Sequence, residues 1–69
     1  MIRLEDENYE IIVSKHKNGR WYGGIRDKMT NEIRQQPFHE NGRPSTDSEV
    51  MKRVDRMIKA GFNKTYEGE

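Results

Sequence analysis

Residues 9–27 hold two runs of β-type residues on either side of Asn18-Gly19, and apolar and polar positions alternate along both runs. Asn-Gly is a strong signal for a β-hairpin, because both central residues of a type I′ turn need positive φ. A two-residue loop here also sets the register of the hairpin, with Lys15 opposite Tyr22. The pattern therefore predicts a hairpin around which the rest of the chain is organised.

Both faces of this predicted hairpin carry apolar side chains. One face holds Ile11, Val13 and Tyr22, and the other holds Ile12, Trp21 and Ile25. One helix can cover only one face of a small sheet, so we expect function on the face that the helix leaves open. Gly23-Gly24 in mid-strand indicates a bulge or a close approach of another group to the backbone.

Three further segments surround the hairpin. Residues 31–38 are typical of a third strand, with Ile33 pointing inward and Pro37 near its end. Residues 39–45 are rich in turn-forming residues and predict a loop. Residues 1–8 contain only a short alternating pattern, which predicts either a weakly ordered arm or a short strand.

The helix signal begins with Thr46-Asp47-Ser48-Glu49, which has the pattern of a capping box. The apolar residues that follow at helical spacing are Val50, Met51, Val54, Met57 and Ile58. Gly61 predicts the end of the helix, and Phe62 just after it can fold back onto the last turn. We expect a helix at about residues 47–60, followed by a flexible tail at residues 63–69.

These elements predict one small α+β domain spanning residues 1–69. Its expected architecture is a three-stranded antiparallel β-meander with one C-terminal α-helix packed on one face, in the order βββα. The predicted core is Ile11, Val13, Tyr22 and Ile33 packed against Val50, Val54, Met57, Ile58 and Phe62. The competing hairpin register places Ile12, Trp21 and Ile25 inside instead.

Composition narrows the class of protein. Of the 69 residues, 36% are charged and 30% are hydrophobic, and none is cysteine. The chain therefore has neither a disulfide framework nor a Cys-based zinc site. A chain of this length and hydrophobic fraction can form only a thin core, which suggests marginal stability, a homodimer or stabilisation by a partner. The acidic N-terminus lacks the apolar run of an export signal and no stretch reaches membrane-spanning length, so we expect a cytoplasmic protein without a membrane partner.

The net charge of +1 is unevenly distributed along the chain. Residues 1–10 carry one arginine and four acidic residues, whereas residues 14–36 carry six basic and two acidic residues. Basic side chains on edge strands block aggregation, and basic surfaces with interleaved aromatic residues bind nucleic acid. The candidate residues for binding nucleic acid or another partner are Lys15, His16, Lys17, Arg20, Trp21, Arg26, Lys28 and Arg34.

The chain is poor in the residue patterns that enzymes need. His16 and His39 are its only histidines, and no neighbouring pattern of cysteines or carboxylates gives metal-ligand spacing. The serines lack the context of a nucleophile elbow or a catalytic triad. We therefore expect a non-enzymatic binding module without a metal or a cofactor.

The hairpin carries Asn18-Gly19-Arg20-Trp21 and then Ile25-Arg26, and Phe38 precedes the helix capped at Thr46. This arrangement resembles the DNA-binding domains of the recombinase arm-binding and AP2 type, in which a three-stranded sheet packs on one helix. The resemblance implies that the sheet face away from the helix enters the major groove, with Arg20, Trp21 and Arg26 as candidate contacts. Nucleic acid is accordingly the first predicted partner.

A host protein is the alternative partner. A short, charge-rich chain without cysteine is similar in style to the small proteins with which phages and mobile elements block host enzymes, as anti-restriction and anti-CRISPR proteins do. An exposed Trp or Tyr surrounded by Arg is also typical of a protein-interface hot spot. The acidic residues that would mimic phosphates in such an inhibitor, or else form a solvated terminus, are Glu5, Asp6, Glu7 and Glu10. A homodimer through Ile33 or the surplus apolar face is a third prediction.

Overall fold

A computed structural model describes residues 1–68 and shows an α+β fold. The elements in chain order are β1 (Ile2–Glu5), β2 (Tyr9–Lys15), β3 (Trp21–Asp27), β4 (Ile33–Pro37), β5 (His39–Glu40), β6 (Arg43–Pro44), α1 (Asp47–Lys59) and β7 (Asn63–Glu67). Five strands form the main antiparallel sheet in the order β4-β3-β2-β1-β7, and β5 pairs with β6. The prediction of an antiparallel sheet with one helix is confirmed, but the prediction of three strands with the helix last is wrong, because β1 and β7 extend the sheet.

The loop between β2 and β3 differs from the predicted type I′ turn. Gly19 N donates to His16 O and His16 N donates to Arg20 O, both at 2.9 Å, so the loop has three residues. Within it, Gly19 has positive φ (83°) and Asn18 does not. A three-residue loop of this kind places its glycine in the left-handed region as a bulge. Lys15 consequently lies opposite Trp21 rather than Tyr22.

This one-residue shift decides which side chains form the core. We call the face of the main sheet that α1 covers the inner face and the opposite one the outer face. Because β3 is displaced by one residue against β2, Trp21 and Ile25 join Ile11 and Val13 on the inner face. Each predicted register was therefore right for one strand. Tyr22, which was expected in the core, lies on the outer face.

The core contains residues from both ends of the chain. Its buried members are Ile2, Leu4, Ile11, Val13, Trp21, Phe38, Val50 and Val54, and partly buried Ile25, Met51, Met57 and Phe62 pack against them. Ile58 and Ile33 were expected in this core but are exposed. Ile33 alternates with Arg34 on an edge strand, and its side chain points to the outer face.

Gly23 provides the close backbone approach that the sequence indicated. A Cβ built on Gly23 would lie 2.8 Å from Cζ of Phe38, so the Phe38 ring occupies the place of a side chain. Phe38 N donates to Trp21 O at 3.0 Å, which holds this residue beside β3 beyond the end of β4. The Arg53 guanidinium lies over the same ring, 4.9 Å from its centroid, and forms a cation–π contact with it.

Residues 39–45, predicted to be a loop, instead contain the small β5–β6 hairpin. Asn41 and Gly42 both have positive φ (54° and 75°), which is the type I′ conformation that was expected at Asn18-Gly19. The hairpin is fastened to the helix by Arg43, whose Nη1 and Nη2 donate to the two carboxylate oxygens of Glu49 at 2.9 and 3.0 Å.

The helix prediction is confirmed at both ends. Thr46 Oγ1 accepts from Glu49 N at 3.3 Å and Glu49 Oε1 accepts from Thr46 N at 2.8 Å, which completes the capping box. At the other end Gly61 has positive φ, Gly61 N donates to Ile58 O and Phe62 N donates to Met57 O. These are the two hydrogen bonds of a Schellman motif, and they turn the chain toward β7.

The two chain ends lie side by side in the main sheet. Ile2 and Leu4 pair with Val13 and Ile11, so β1 buries two core residues. β7 then pairs with β1 in the segment that was predicted to be a flexible tail. Glu69, the last residue of that predicted tail, lies outside the described residues.

Candidate binding surface

The outer face carries the side chains that alternate with the core residues along each strand. They come from β1 (Arg3, Glu5), β2 (Glu10, Ile12, Ser14), β3 (Tyr22, Gly24, Arg26), β4 (Ile33, Gln35, Pro37) and β7 (Asn63, Tyr66). Ile33 is 72% exposed, Tyr66 45% and Ile12 37%. Large apolar side chains therefore face solvent on a part of the described structure that no other element covers.

The strand register arranges this face into rows that run across the strands. The middle row is Tyr66, Arg3, Ile12, Gly24 and Gln35. The next row is Asn63, Glu5, Glu10, Arg26 and Ile33. Ile12 thus stands at the centre of the outer face, with a charged neighbour on one side and a glycine on the other.

The missing side chain of Gly24 leaves a shallow hollow of about 170 Å³, which we call the Gly24 depression. Its lining residues are Glu10, Ile12, Gly24, Ile25, Arg26 and Ile33. A Cβ at Gly24 would meet only the Ile12 carbonyl oxygen, at 4.0 Å, so the floor is open. Apolar side chains of Ile12 and Ile33 form its walls.

A second hollow of about 220 Å³, the Arg3 depression, lies on the other side of Ile12. Its lining residues are Arg3, Leu4, Glu5, Glu10, Ile11, Ile12 and Thr65. Within the described chain, the Arg3 guanidinium forms no ion pair. The two depressions share Glu10 and Ile12, but only the Gly24 depression has a second exposed isoleucine, Ile33, and only the Arg3 depression has an arginine outside the ion pairs.

Positive charge exceeds negative charge around these depressions. The Arg26 guanidinium donates to Glu10 and, together with the charges of Lys28 and Arg3, lowers the pKa of Glu10. Lys28 also forms an ion pair with Glu5 at 3.1 Å. Three cations thus surround two carboxylates, and both carboxylates already have basic partners.

The tip of the β2–β3 hairpin is a separate small cluster. The His16 and Tyr22 rings stack with centroids 4.0 Å apart and an interplanar angle of 26°. Asn18 Nδ2 donates to the Tyr22 hydroxyl at 3.4 Å. Lys17 and Arg20 at the same tip form no ion pair with another residue among positions 1–68.

The structure does not bring the basic and aromatic candidates from the sequence into one surface. Trp21, the main aromatic candidate, is 8% exposed and lies beneath the start of α1, where its Nε1 donates to Asp47 Oδ1 at 2.8 Å. Lys15 also contacts Asp47, at 3.3 Å, and Arg34 lies on the inner face at the β4 edge. The expectation of an exposed tryptophan on a basic sheet face is therefore wrong. The candidates His16, Lys17 and Arg20 remain together at the hairpin tip, while Arg26 and Lys28 are ion-paired.

The acidic candidates also have local partners. Glu5 pairs with Lys28 and Glu10 with Arg26, while Asp6 Oδ1 accepts from the backbone of Asn8 and Tyr9 at 2.8 Å in the β1–β2 turn. Of the four, Glu7 alone is an exposed carboxylate without a described partner. These positions therefore form ion pairs and a turn rather than one acidic patch.

The sequence indicated only some of the residues that form the outer face. Ile12 and Gly24 were visible as a surplus apolar position and a mid-strand glycine. Arg3 and Tyr66 gave no signal, because they become neighbours of Ile12 only when β1 and β7 join the sheet. Ile33 was identified as a strand residue but with the opposite orientation.

No group of three or more histidine or carboxylate side chains within residues 1–68 is arranged to hold a metal ion. The same residues include no helix with the length and apolar character required to span a membrane.

Comparisons of the chain with protein-family models, curated proteins and solved structures found no match. The resemblance to recombinase arm-binding and AP2 domains therefore rests on Asn18-Gly19-Arg20-Trp21, Ile25-Arg26, and Phe38 before the helix capped at Thr46.

Proposed function

We propose that this protein is a non-enzymatic binding module that docks on another protein through the outer face of its sheet. The observation that carries the proposal is an uncovered sheet face with exposed Ile12, Ile33 and Tyr66 at its centre and both edges. Protein interfaces are enriched in tyrosine and arginine and depleted in lysine. The outer positions of the five strands carry two tyrosines, two arginines and no lysine.

Charge on this face also favours a protein over duplex DNA. A duplex binder needs several basic side chains aimed at phosphates. At the outer strand positions Arg3 and Arg26 are matched in number by Glu5 and Glu10, and the neighbouring Lys28 leaves an excess of only one positive charge. A surface with so small a net charge and with apolar contacts suits the desolvated core of a protein complex. An inhibitor that blocks an enzyme by covering it would use such a face.

The test compares the outer face with the solvent face of the helix. The double variant Ile12→Glu and Ile33→Glu places charge on the outer face, and Lys52→Glu with Lys59→Glu changes exposed helix residues. Each is immobilised beside the wild-type protein, and proteins captured from a lysate of the source cell are quantified by mass spectrometry. We expect a partner retained by the wild type and the helix variant and reduced at least tenfold by the outer-face variant. Equal retention by all three would contradict the proposal.

A second candidate function, binding of single-stranded nucleic acid, is favoured by the His16–Tyr22 stack at a hairpin tip that also carries Lys17 and Arg20. Bases stack on aromatic rings, while nearby cations contact phosphates. This function predicts binding of a random 20-nucleotide single strand at low salt, with a salt dependence that Lys17→Ala and Arg20→Ala reduce. No binding in low-salt buffer would exclude it.

A further inference from the structure

We propose that the outer face recognises an extended protein segment that carries an aliphatic side chain and, two residues further along, a carboxylate. This inference rests on the proposed function, since it names the ligand chemistry of the same surface. The aliphatic side chain would enter the Gly24 depression, and the carboxylate would bind Arg3 across Ile12.

The Gly24 depression has the lining that an aliphatic side chain requires. Ile12 and Ile33 form its walls, and the absence of a side chain at Gly24 leaves its floor open. The Arg26 guanidinium at its border is engaged with Glu10 and donates to Asn31 Oδ1 at 2.7 Å. Since the two charged groups that line the depression, Arg26 and Glu10, are paired with each other, an apolar occupant does not separate either from its partner.

Charge complementarity selects an acidic neighbour for that aliphatic side chain. Arg3 forms no ion pair with the carboxylates of residues 1–68, because Glu10 is bound by Arg26 and Glu5 by Lys28. An arginine on an uncovered sheet face can donate two parallel hydrogen bonds to the oxygens of a carboxylate. A basic residue two positions after the aliphatic residue of the segment would instead be repelled by Arg3.

The spacing of the two depressions fits a segment that crosses the strands. Gly24 and Arg3 stand on either side of Ile12 in the middle row, so their backbones are about 10 Å apart at about 4.8 Å per strand. In an extended segment, side chains two residues apart point to the same side and lie about 6.6 Å apart. The long side chain of Arg3 spans the remaining distance.

The size of the outer face argues against a stable dimer of this chain through that face, whereas a short segment that binds weakly needs no interface of standard size. Five strands about 4.8 Å apart and three rows of side chains give a face of about 24 by 20 Å. Two copies stacked face to face would bury about 1,000 Å² in total, which is less than the roughly 1,200–2,000 Å² of stable interfaces.

The experiment uses three synthetic pentapeptides and the isotope-labelled protein, followed by NMR titration. The first peptide has leucine at its second position, glutamate at its fourth and serine elsewhere; the second has lysine in place of the glutamate, and the third has glycine in place of the leucine. We expect the first to bind with a Kd on the order of 1 mM and to shift the amide signals of Ile12, Gly24 and Ile33. The other two should bind at least fivefold more weakly.

Two variants and one control locate the contacts. Gly24→Val places an apolar side chain in the depression, its Cβ 4.0 Å from the Ile12 carbonyl oxygen, and should weaken binding of the first peptide at least tenfold. Arg3→Met should weaken binding of the first peptide about fivefold. The variant should then bind the glutamate and lysine peptides with equal affinity. Ser14→Val adds the same apolar side chain elsewhere on the outer face and should leave binding within twofold of the wild type.

The outcomes separate this inference from the proposed function. If the peptides do not bind, bind equally or are insensitive to Gly24→Val, the inference fails, whereas the proposed function fails only if the Ile12→Glu and Ile33→Glu variant retains the captured partner. Sedimentation of the free protein at high concentration provides the remaining check. A dimer that Gly24→Val dissociates would show that a second copy occupies the face and would overturn the inference.

Discussion

Gly23 and Gly24 are neighbours in β3, yet their missing side chains serve opposite faces of the sheet. Gly23 leaves room for the Phe38 ring in the core, while Gly24 opens a depression on the outer face. A methyl group at Gly23 would overlap Phe38, whereas a methyl group at Gly24 would meet only open space and one carbonyl oxygen.

We therefore expect Gly23→Ala to lower the free energy of unfolding by about 1–3 kcal/mol, because the Phe38 ring must shift to avoid the added carbon. Gly24→Ala should change it by less than about 1 kcal/mol and is expected to be slightly stabilising, since alanine loses less backbone entropy on folding than glycine. Urea unfolding followed by Trp21 fluorescence measures both. Equal effects of the two variants would show that Phe38 does not rest against Gly23.

At the scale of elements, the start of α1 gathers the acidic groups that make stability depend on pH. Hydrogen bonds from Trp21 and then from Lys15 lower the pKa of Asp47. The Arg43 guanidinium, followed by the backbone of Thr46, holds the pKa of Glu49 well below its usual range. A hydrogen bond with Glu49 has the opposite effect on Glu40, whose pKa is raised.

These directions predict a loss of stability in acid. A carboxyl whose pKa is lower in the folded protein contributes stability above its unfolded pKa, and that contribution is lost as the pH falls through the folded value. The decline should begin near the ordinary pKa values, 4.5 for Glu49 and 3.8 for Asp47, and continue downward. Glu40 opposes it, because its raised pKa favours the folded state as it takes up a proton. We expect the double variant Asp47→Asn and Glu49→Gln to be less stable at pH 7 and to show a flatter pH dependence. Urea midpoints between pH 7 and pH 2 test this, and parallel curves would contradict it.

The same element shows what the sequence could predict well. Capping residues and the Gly61 stop act through hydrogen bonds within a few residues, so the pattern around α1 was sufficient to place both ends. The outcome at Asn18-Gly19 depended on more than the local pattern. The dipeptide is compatible with both a two-residue and a three-residue loop. Packing of the core determines which loop forms, because only the longer loop puts Trp21 and Ile25 on the same face as Ile11 and Val13.

For the whole molecule, the missing information was about long-range pairing. The helix and the β2–β3 hairpin were foreseen, but five exposed residues in β7 gave no apolar alternation to indicate a strand. Their partner, β1, lies about sixty positions earlier in the chain. The outer face could not be predicted in full for the same reason: Arg3 and Tyr66 belong to it only through this pairing.

That pairing leads to a prediction about the whole fold. Deleting residues 63–69 would remove β7 and leave β1, which carries the buried residues Ile2 and Leu4, as an unprotected edge strand. We expect the free energy of unfolding to fall by about 2 kcal/mol, because a few backbone hydrogen bonds of about 1 kcal/mol each are lost and part of that loss is offset by the ordering entropy of the strand. We also expect concentration-dependent association, because an unpaired flat edge is a template for another strand.

Deleting Glu69 alone is the matched control and should change neither property. Urea unfolding and sedimentation of the two truncated proteins measure the effects. If both truncated proteins are as stable and as monomeric as the full chain, residues 63–67 behave in solution as the flexible tail that the sequence predicted.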